Sequence, residues 1–256
     1  MDLSGSRVLI TGASSGIGAA CAAAFARHEA RLLLLARRED RLHDLAAELA
    51  TRHGVEVRTA MVDVRDRGVV ESWYRDLPQD WQQLDILVNN AGLARGLGPL
   101  HQGEVEDWEE MIDTNVKGLL WVTRTVLPGM VARGRGQVIN IGSIAGHEVY
   151  PGGNVYCASK FAVTALGRSL GIDTLGSGVR VSSVDPGMVE TEFALVRFHG
   201  NQDRAAAVYT GLEPLHPEDV AEAVLFCATR PPHANVRELI LMPSAQAGST
   251  FVHRAK

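Results

Sequence analysis

The sequence predicts an α/β fold, a doubly wound open parallel sheet of seven strands with helices on both faces. Three observations carry that reading. Short β-branched or leucine-rich runs alternate with segments of helical spacing. Most runs are continuously apolar rather than alternating, as strands covered on both faces require. A glycine-rich turn joins the first run to the first helical segment.

In chain order, residues 7–11 (RVLIT) make the first strand, and the alanine-rich segment 16–26 makes a helix able to pack closely on a sheet. Residues 31–36 form the second strand. The helix after it carries Leu42, Leu45, Ala46 and Leu49 at i, i+3, i+4 and i+7. Further strands are predicted at 55–59, 84–89, 137–142, 179–184 and 238–242. No Pro/Ser-rich linker, repeat or low-complexity stretch divides the chain, so 1–256 reads as a single domain. The one long irregular stretch, 188–216, reads as a lid.

Composition narrows the function. The 25 basic and 30 acidic residues give a net charge of −5, with the arginines scattered. That pattern offers no footprint for nucleic acid or anionic lipid and points to small-molecule partners. The longest aliphatic run, Leu32 to Ala36, falls far short of the roughly 20 residues needed to span a bilayer. No leader pattern is seen, and Cys21, Cys157 and Cys227 lack C-x-x-C spacing, so reduced thiols and a cytoplasmic location are expected. No cluster of His, Asp or Glu has metal-ligand spacing, and no metal is expected.

The turn Thr11-Gly12-Ala13-Ser14-Ser15-Gly16-Ile17-Gly18 lies where bare backbone N–H groups and the helix dipole favour a phosphate. Its G-x-x-x-G-x-G spacing differs from the general G-x-G-x-x-G dinucleotide fingerprint but uses glycine for the same ends. An NAD site carries an acid about 20 residues further on to bind the ribose 2′-hydroxyl. Here Arg37 and Arg38 stand there, and guanidinium forks suit a 2′-phosphate, so NADP(H) is the expected cofactor. Asp63 is placed to accept from the adenine amino group, and Asn89-Asn90-Ala91-Gly92 ends the fourth strand beside the cofactor cleft.

Tyr156 and Lys160 are four residues apart at the start of a helix, on one face of it. An ammonium beside the phenol favours the phenolate, lowering a pKa normally near ~10 toward one useful for proton transfer. With four tyrosines and three lysines in 256 residues, random placement gives about 0.05 such pairs at near-uniform usage. Ser143, ending the fifth strand, offers a hydroxyl to a carbonyl oxygen that gains charge. Gly146-His147-Glu148-Val149 sets an imidazole and a carboxylate nearby, read as loop residues.

These motifs together resemble the short-chain dehydrogenase/reductase family along essentially the whole chain. The match rests on TGASSGIG at 11–18, NNAG at 89–92, Ser143, YCASK at 156–160, and Pro186-Gly187. The resemblance implies a Rossmann fold and usually a homotetramer, with a catalytic tetrad of Asn115, Ser143, Tyr156 and Lys160. In it Tyr156 is the acid/base, Ser143 positions the carbonyl, Lys160 holds the nicotinamide ribose and biases Tyr156, and Asn115 supports a water relay. It also places Val64 against the cofactor beside Asp63, and Pro186, Gly187, Val189 and Thr191 along the nicotinamide. A narrower likeness is to the NADP-dependent 3-hydroxy acid (serine/allo-threonine) dehydrogenases, which also reduce malonic semialdehyde. It is seen in VEDWEEMIDTN at 105–115, GGNVY at 152–156 and PEDVAEAV at 217–224.

The expected function is therefore hydride transfer between NADP(H) and a small 3-hydroxy acid or its keto or semialdehyde form. Related reductases of larger neutral ketones or specialised-metabolite aldehydes share every catalytic motif, and a non-catalytic dinucleotide sensor would not need the tetrad. An acid substrate must meet a cation in a pocket stripped of water. Arg197 in the lid, flanked by Phe193 and Phe198, is the candidate.

Overall fold

The computed structural model describes residues 2–255. The strands are β1 (Arg7–Thr11), β2 (Arg31–Ala36), β3 (Val57–Met61), β4 (Ile86–Asn89), β5 (Gly136–Ile141), β6 (Val179–Pro186) and β7 (Glu238–Leu241). They form one parallel seven-stranded sheet in the order β3-β2-β1-β4-β5-β6-β7. The order reverses between β1 and β4, so their carboxyl ends flank the crevice where such sheets bind ligands.

The helices in chain order are α1 (Gly16–Arg27), α2 (Glu39–His53), α3 (Arg67–Arg75), α4 (Val105–Ile112), α5 (Leu119–Ala132), α6 (Asn154–Asp173), α7 (Phe193–Arg197), α8 (Gln202–Ala207) and α9 (Pro217–Ala228). Alternate strand residues face opposite ways. Val8, Ile10, Leu32, Leu34 and Val88 therefore pack against α1, α2 and α9. Leu9, Leu33, Leu35 and Leu87 pack on the other face with Val70 of α3 and Val122, Val126 and Met130 of α5. Two covered faces explain the unbroken apolar runs of the central strands. Edge strands β3 and β7 are half exposed and correspondingly less apolar.

The third strand lies two residues later than the apolar pattern suggests. Gly54, in the left-handed region at φ 68, caps α2, and Val55 turns into the core under that helix. The strand is then set by pairing with β2, from Leu32↔Val57 to Ala36↔Met61, which carries it past the apolar run. Other strand boundaries agree within two residues, the usual uncertainty of element ends. The stretch 188–216 is not irregular throughout, since it holds α7 and α8. A helix of five or six residues spans too few turns for its periodicity to register in sequence. The base of this stretch is pinned: Leu215 N–H donates to the Met188 carbonyl at 2.9 Å, and Glu190 N–H to the Leu215 carbonyl at 2.8 Å.

Between α4 and α5, residues 113–118 form a π-helical turn, a distortion that often marks functional sites. A small cluster beside it joins Leu93 and Met111 to Tyr156 and Cys157 of α6, with Phe193 and Val196 of α7 packed against it. The start of α6 thus meets α7 over an apolar floor.

Candidate active site

The glycine turn works through conformation and packing. Gly12 and Gly16 take φ 65 and φ 52, where other residues are strained. A Cβ on Gly12 would lie 2.9 Å from Ala91 Cα, and one on Gly18 would run into the Gly12 carbonyl oxygen. Gly18 therefore sets the packing, while Gly12, Ser14, Ser15, Gly16 and Ile17 line the cavity. Asn90 clamps the turn from β4: its Nδ2 donates to the carbonyls of Thr11 at 2.9 Å and Gly12 at 3.1 Å. Thr11 Oγ1 returns the contact, accepting the N–H groups of Asn90 and Ala91 at 3.0 Å each. Ser15 makes no side-chain cap on α1, so the first-turn N–H groups remain for an anionic ligand.

The cavity of about 340 Å³ runs from this turn to Tyr156. Arg37 and Arg38 line one end together with Asp63 and Val64, and Lys160, Pro186, Gly187, Val189 and Thr191 line the other. Arg38 donates to Ser14 Oγ at 3.2 Å, Ser15 Oγ at 2.5 Å and Glu192 Oε2 at 2.8 Å. Arg41, not singled out by the sequence, donates to the other Glu192 oxygen at 2.7 Å. The signal was available, since Arg41 lies one turn into α2 from Arg38. Hydrogen bonds from Arg41 and then Arg38 hold the Glu192 carboxyl at about 2. At the adenine end, Asp63 is committed to Arg65, which donates to both carboxylate oxygens. Burial pushes the Asp63 carboxyl up, but Arg65 more than offsets this and holds it below the usual range.

These residues fit an NADP molecule: a glycine-rich turn, uncapped N–H groups and two arginines lining the same cavity. Thr114, which sequence reasoning also missed, adds a buried hydroxyl without a partner on the cavity wall. Among the described residues no group of three or more His, Cys, Asp or Glu is placed to hold a metal ion.

At the catalytic end, Tyr156 and Lys160 both face the cavity from the first turns of α6. Lys160 Nζ donates to the Ile141 carbonyl at 2.9 Å. Burial lowers its pKa to about 8, against the opposing pull of the Asp185 charge. The spacing argument expects the Tyr156 phenol to be pulled toward neutrality, and the structure does the reverse. Burial, reinforced by Tyr150, pushes it up, with the Ser143 hydroxyl and Arg197 pulling it down. The phenol is thus held in its protonated form. Ser143 Oγ also accepts the Ala145 N–H at 3.1 Å, starting a short 3₁₀ turn.

Asn115 does not line the cavity. Its Nδ2 donates to the Leu93 carbonyl and Ser159 Oγ at 2.8 and 2.9 Å, and its Oδ1 accepts the Leu93 N–H at 2.8 Å. It thereby fixes the loop after β4 rather than meeting a ligand. Arg197 also stands just behind the cavity wall formed by Phe193 and Val196. Its Nε donates to the Gly96 carbonyl at 2.9 Å and its Nη2 to the Tyr150 hydroxyl at 2.8 Å. Its guanidinium carbon lies 5.6 Å from the Tyr156 ring centroid. Of the two loop residues read as incidental, Glu148 accepts the Ser249 N–H at 2.7 Å. His147 Nε2 contacts Asp185 Oδ2 at 2.8 Å.

The glycine turn at a sheet crossover, with a buried Tyr-x-x-x-Lys pair beside a serine, defines a nucleotide-dependent oxidoreductase architecture. The family model for short chain dehydrogenases matches residues 6–201, and the chain belongs to that family. It is 47% identical over 250 residues to an NADP-dependent 3-hydroxy acid dehydrogenase of Salmonella typhi, covering 97% of this chain and 99% of that one. It is 49% identical over 245 residues to sulfoacetaldehyde reductase 2 of Chromohalobacter salexigens, covering 95% and 96%. Among solved structures, the closed form of serine dehydrogenase complexed with NADP+ superposes with a TM-score of 0.90 at 45% identity, covering 97% of this chain and all of that one.

The Glu192 ion pairs tie the start of α7 to Arg38 and Arg41 beside the glycine turn. A carboxyl held below its unfolded value stabilises this contact above the usual ~4.3 and loses it as pH falls toward 2. Hydrogen exchange of α7, corrected for intrinsic rates, should therefore accelerate across that window. Glu192→Gln should already exchange faster at pH 7. Equal protection of α7 in the two proteins at pH 7 would refute the tether.

Proposed function

We propose that this chain is an NADP(H)-dependent oxidoreductase moving a hydride between the cofactor and a small 3-hydroxy acid or its keto or semialdehyde form. It works as one catalytic domain over 1–256, with 188–216 as the substrate lid. The observation that carries the substrate class is Arg197. It is half buried, it has no carboxylate partner among the described residues, and its guanidinium lies behind the Tyr156 ring. A half-buried guanidinium left without a counter-ion recruits an anionic substrate group.

The nicotinamide, when bound, supplies or accepts the hydride. In the reducing direction Ser143 Oγ and the Tyr156 hydroxyl hold the carbonyl oxygen, and Tyr156 gives its proton as that oxygen gains charge. The raised phenol pKa keeps this donor loaded at neutral pH. Lys160 binds the ribose and stabilises the phenolate left behind, and Asn115 acts through its grip on Leu93. Pro186, Gly187, Val189 and Thr191 flank the carboxamide. Phe193 closes edge-on over Tyr156, with centroids 5.5 Å apart, and excludes water. A sulfonate is the second anion this reading admits, favoured by the 49% identity to a sulfoacetaldehyde reductase.

The family resemblance supports a cytoplasmic homotetramer. No helix among the described residues is long and apolar enough to cross a membrane. Leu120 of α5 and Phe161 and Ile172 of α6 are exposed, as surfaces that meet another copy are.

Three measurements test this function. First, NADP(H) should be preferred over NAD(H). Replacing Arg37 and Arg38 should erode the preference at least tenfold, from contacts worth roughly 1.5 to 3 kcal/mol each. Equal kcat/KM for both cofactors in the unmodified enzyme rejects this assignment. Second, Tyr156→Phe should abolish turnover while retaining NADPH binding measured by fluorescence, and substantial residual turnover would remove Tyr156 as the proton donor. Third, Arg197→Ala should lower kcat/KM for 3-hydroxy acids by one to two orders of magnitude, about 1.5 to 3 kcal/mol, and spare their methyl esters. An unchanged acid-to-ester ratio would transfer the assignment to a neutral ketone.

A further inference from the structure

Beneath the catalytic lysine lies a second ionisable group that the proposed chemistry does not use. Asp185, near the end of β6, is fully buried, with 0% of its surface exposed. Its Oδ1 accepts a hydrogen bond from Ser183 Oγ at 2.5 Å, and its Oδ2 meets His147 Nε2 at 2.8 Å. A buried carboxylate is costly unless its surroundings use its charge. Its position suggests what uses it. Ile141, whose carbonyl takes the Lys160 ammonium, pairs with Val184, the residue before Asp185. Gly142, between Ile141 and Ser143, has room for no side chain, because a Cβ there would run into Asp185 Oδ1. The carboxylate thus occupies the space beside the backbone that holds both Lys160 and Ser143. The 3₁₀ turn that presents His147 is packed directly on α6, where a Cβ on Gly146 would lie 2.8 Å from the Lys160 carbonyl.

We propose that Asp185, held by Ser183 and His147, is a positioning residue for catalysis: it is the buried counter-charge that keeps Lys160 an ammonium at working pH. Burial alone disfavours a charged lysine, and the nearby anion opposes that loss. The other groups facing these two residues leave this role to Asp185. Lys160 is faced by Tyr156 from its own helix, by Ser143 after β5 and by Asn115 from the π-helical turn, all uncharged. Asp185 is faced by His147 and Ser183, by Lys160 and Arg168 from α6 and by the buried Cys227 from α9. Arg168 is itself bound to Glu238 of β7, which also faces His147. Of the lysine and the arginine that the carboxylate faces, Lys160 is thus the one with no other anion bound to it.

The test follows the lysine directly and needs no substrate. The chain has three lysines, Lys117, Lys160 and Lys256, so ¹³Cε-lysine NMR of the whole protein gives three titrating signals. The one missing from Lys160→Met belongs to Lys160. It should titrate near pH 8 in the unmodified protein, the value to which burial lowers it. Asp185→Asn, which keeps the hydrogen-bonding shape, should move that midpoint down by about one pH unit. His147→Arg, which sets a fixed cation against the carboxylate and leaves the buried residue in place, should move it the same way. The second variant decides the matter if the first does not fold. In the reductase assay, the alkaline limb of kcat/KM should move down in parallel, because removing a negative charge lowers the pKa of a lysine beside it. A merely structural role would lower activity without moving either midpoint. An unmoved Lys160 signal in a folded variant overturns the proposal. Its role in catalysis rests on the oxidoreductase reading, and failure of that reading shows separately, as an unmodified enzyme without turnover whose Lys160 signal still responds to Asp185.

Discussion

The burial of one ammonium group organises the catalytic end of this molecule. Lys160 is 7% exposed at the carboxyl edge of a sheet whose interior is aliphatic. A cation there must be given an acceptor and an opposing charge, or it loses its proton or forces the structure open. The end of β5 supplies the carbonyl of Ile141 and the end of β6 supplies Asp185. That demand fixes what lies between them. Gly142 must lack a side chain, and Ser143 follows at once as the chain turns into the 3₁₀ segment. Gly92, where a Cβ would lie 3.2 Å from Asn115 Oδ1 and 3.6 Å from Lys160 Nζ, is held small by the same constraint. Residues scattered between positions 92 and 185 are thus tied to one charge.

The cofactor end obeys a different electrostatic logic. Its arginines are exposed or half buried, and so are the acids they meet. Arg38 and Arg41 share Glu192, which precedes α7, and Arg95, Arg65 and Arg37 gather around Glu110 of α4. Arg95 also donates to the Val196 carbonyl at 2.5 Å, and Gly96 N–H to the Arg197 carbonyl at 2.9 Å. The segment 188–216 is therefore tied down at two places, by the ion pairs of Glu192 and by contacts to the backbone of α7. Exposed ion pairs contribute little individually.

Motifs whose members lie close in sequence were readable without coordinates. The turn at 11–18, the Tyr156–Lys160 spacing and the arginines at 37 and 38 each carry their geometry in a few consecutive residues. All of these but Thr11, Ala13 and Gly18 line the observed cavity. Contacts made across long separations left no such trace. Arg41 and Glu192 are 151 residues apart in sequence, His147 and Asp185 are 38 apart, and Asn115 reaches Leu93 across 22.

The sequence by itself determined the class of fold, because a central strand covered on both faces is apolar along most of its length and a helix on that sheet must repeat near 3.6 residues. It also located the uncapped N–H groups at the cavity, since a glycine turn between strand and helix leaves such groups free. Tertiary structure alone decided the edges, where β3 follows its pairing with β2 rather than its own apolar pattern. It also decided the ionisation of the site. Spacing places a lysine one turn from a tyrosine, but the phenol is governed by burial with Tyr150, Ser143 and Arg197 around it, and the ammonium by burial against Asp185 and the Ile141 carbonyl. The reason is physical: helical spacing is a local property of the backbone, whereas desolvation and Coulomb energy depend on every group the folded chain brings within a few ångströms.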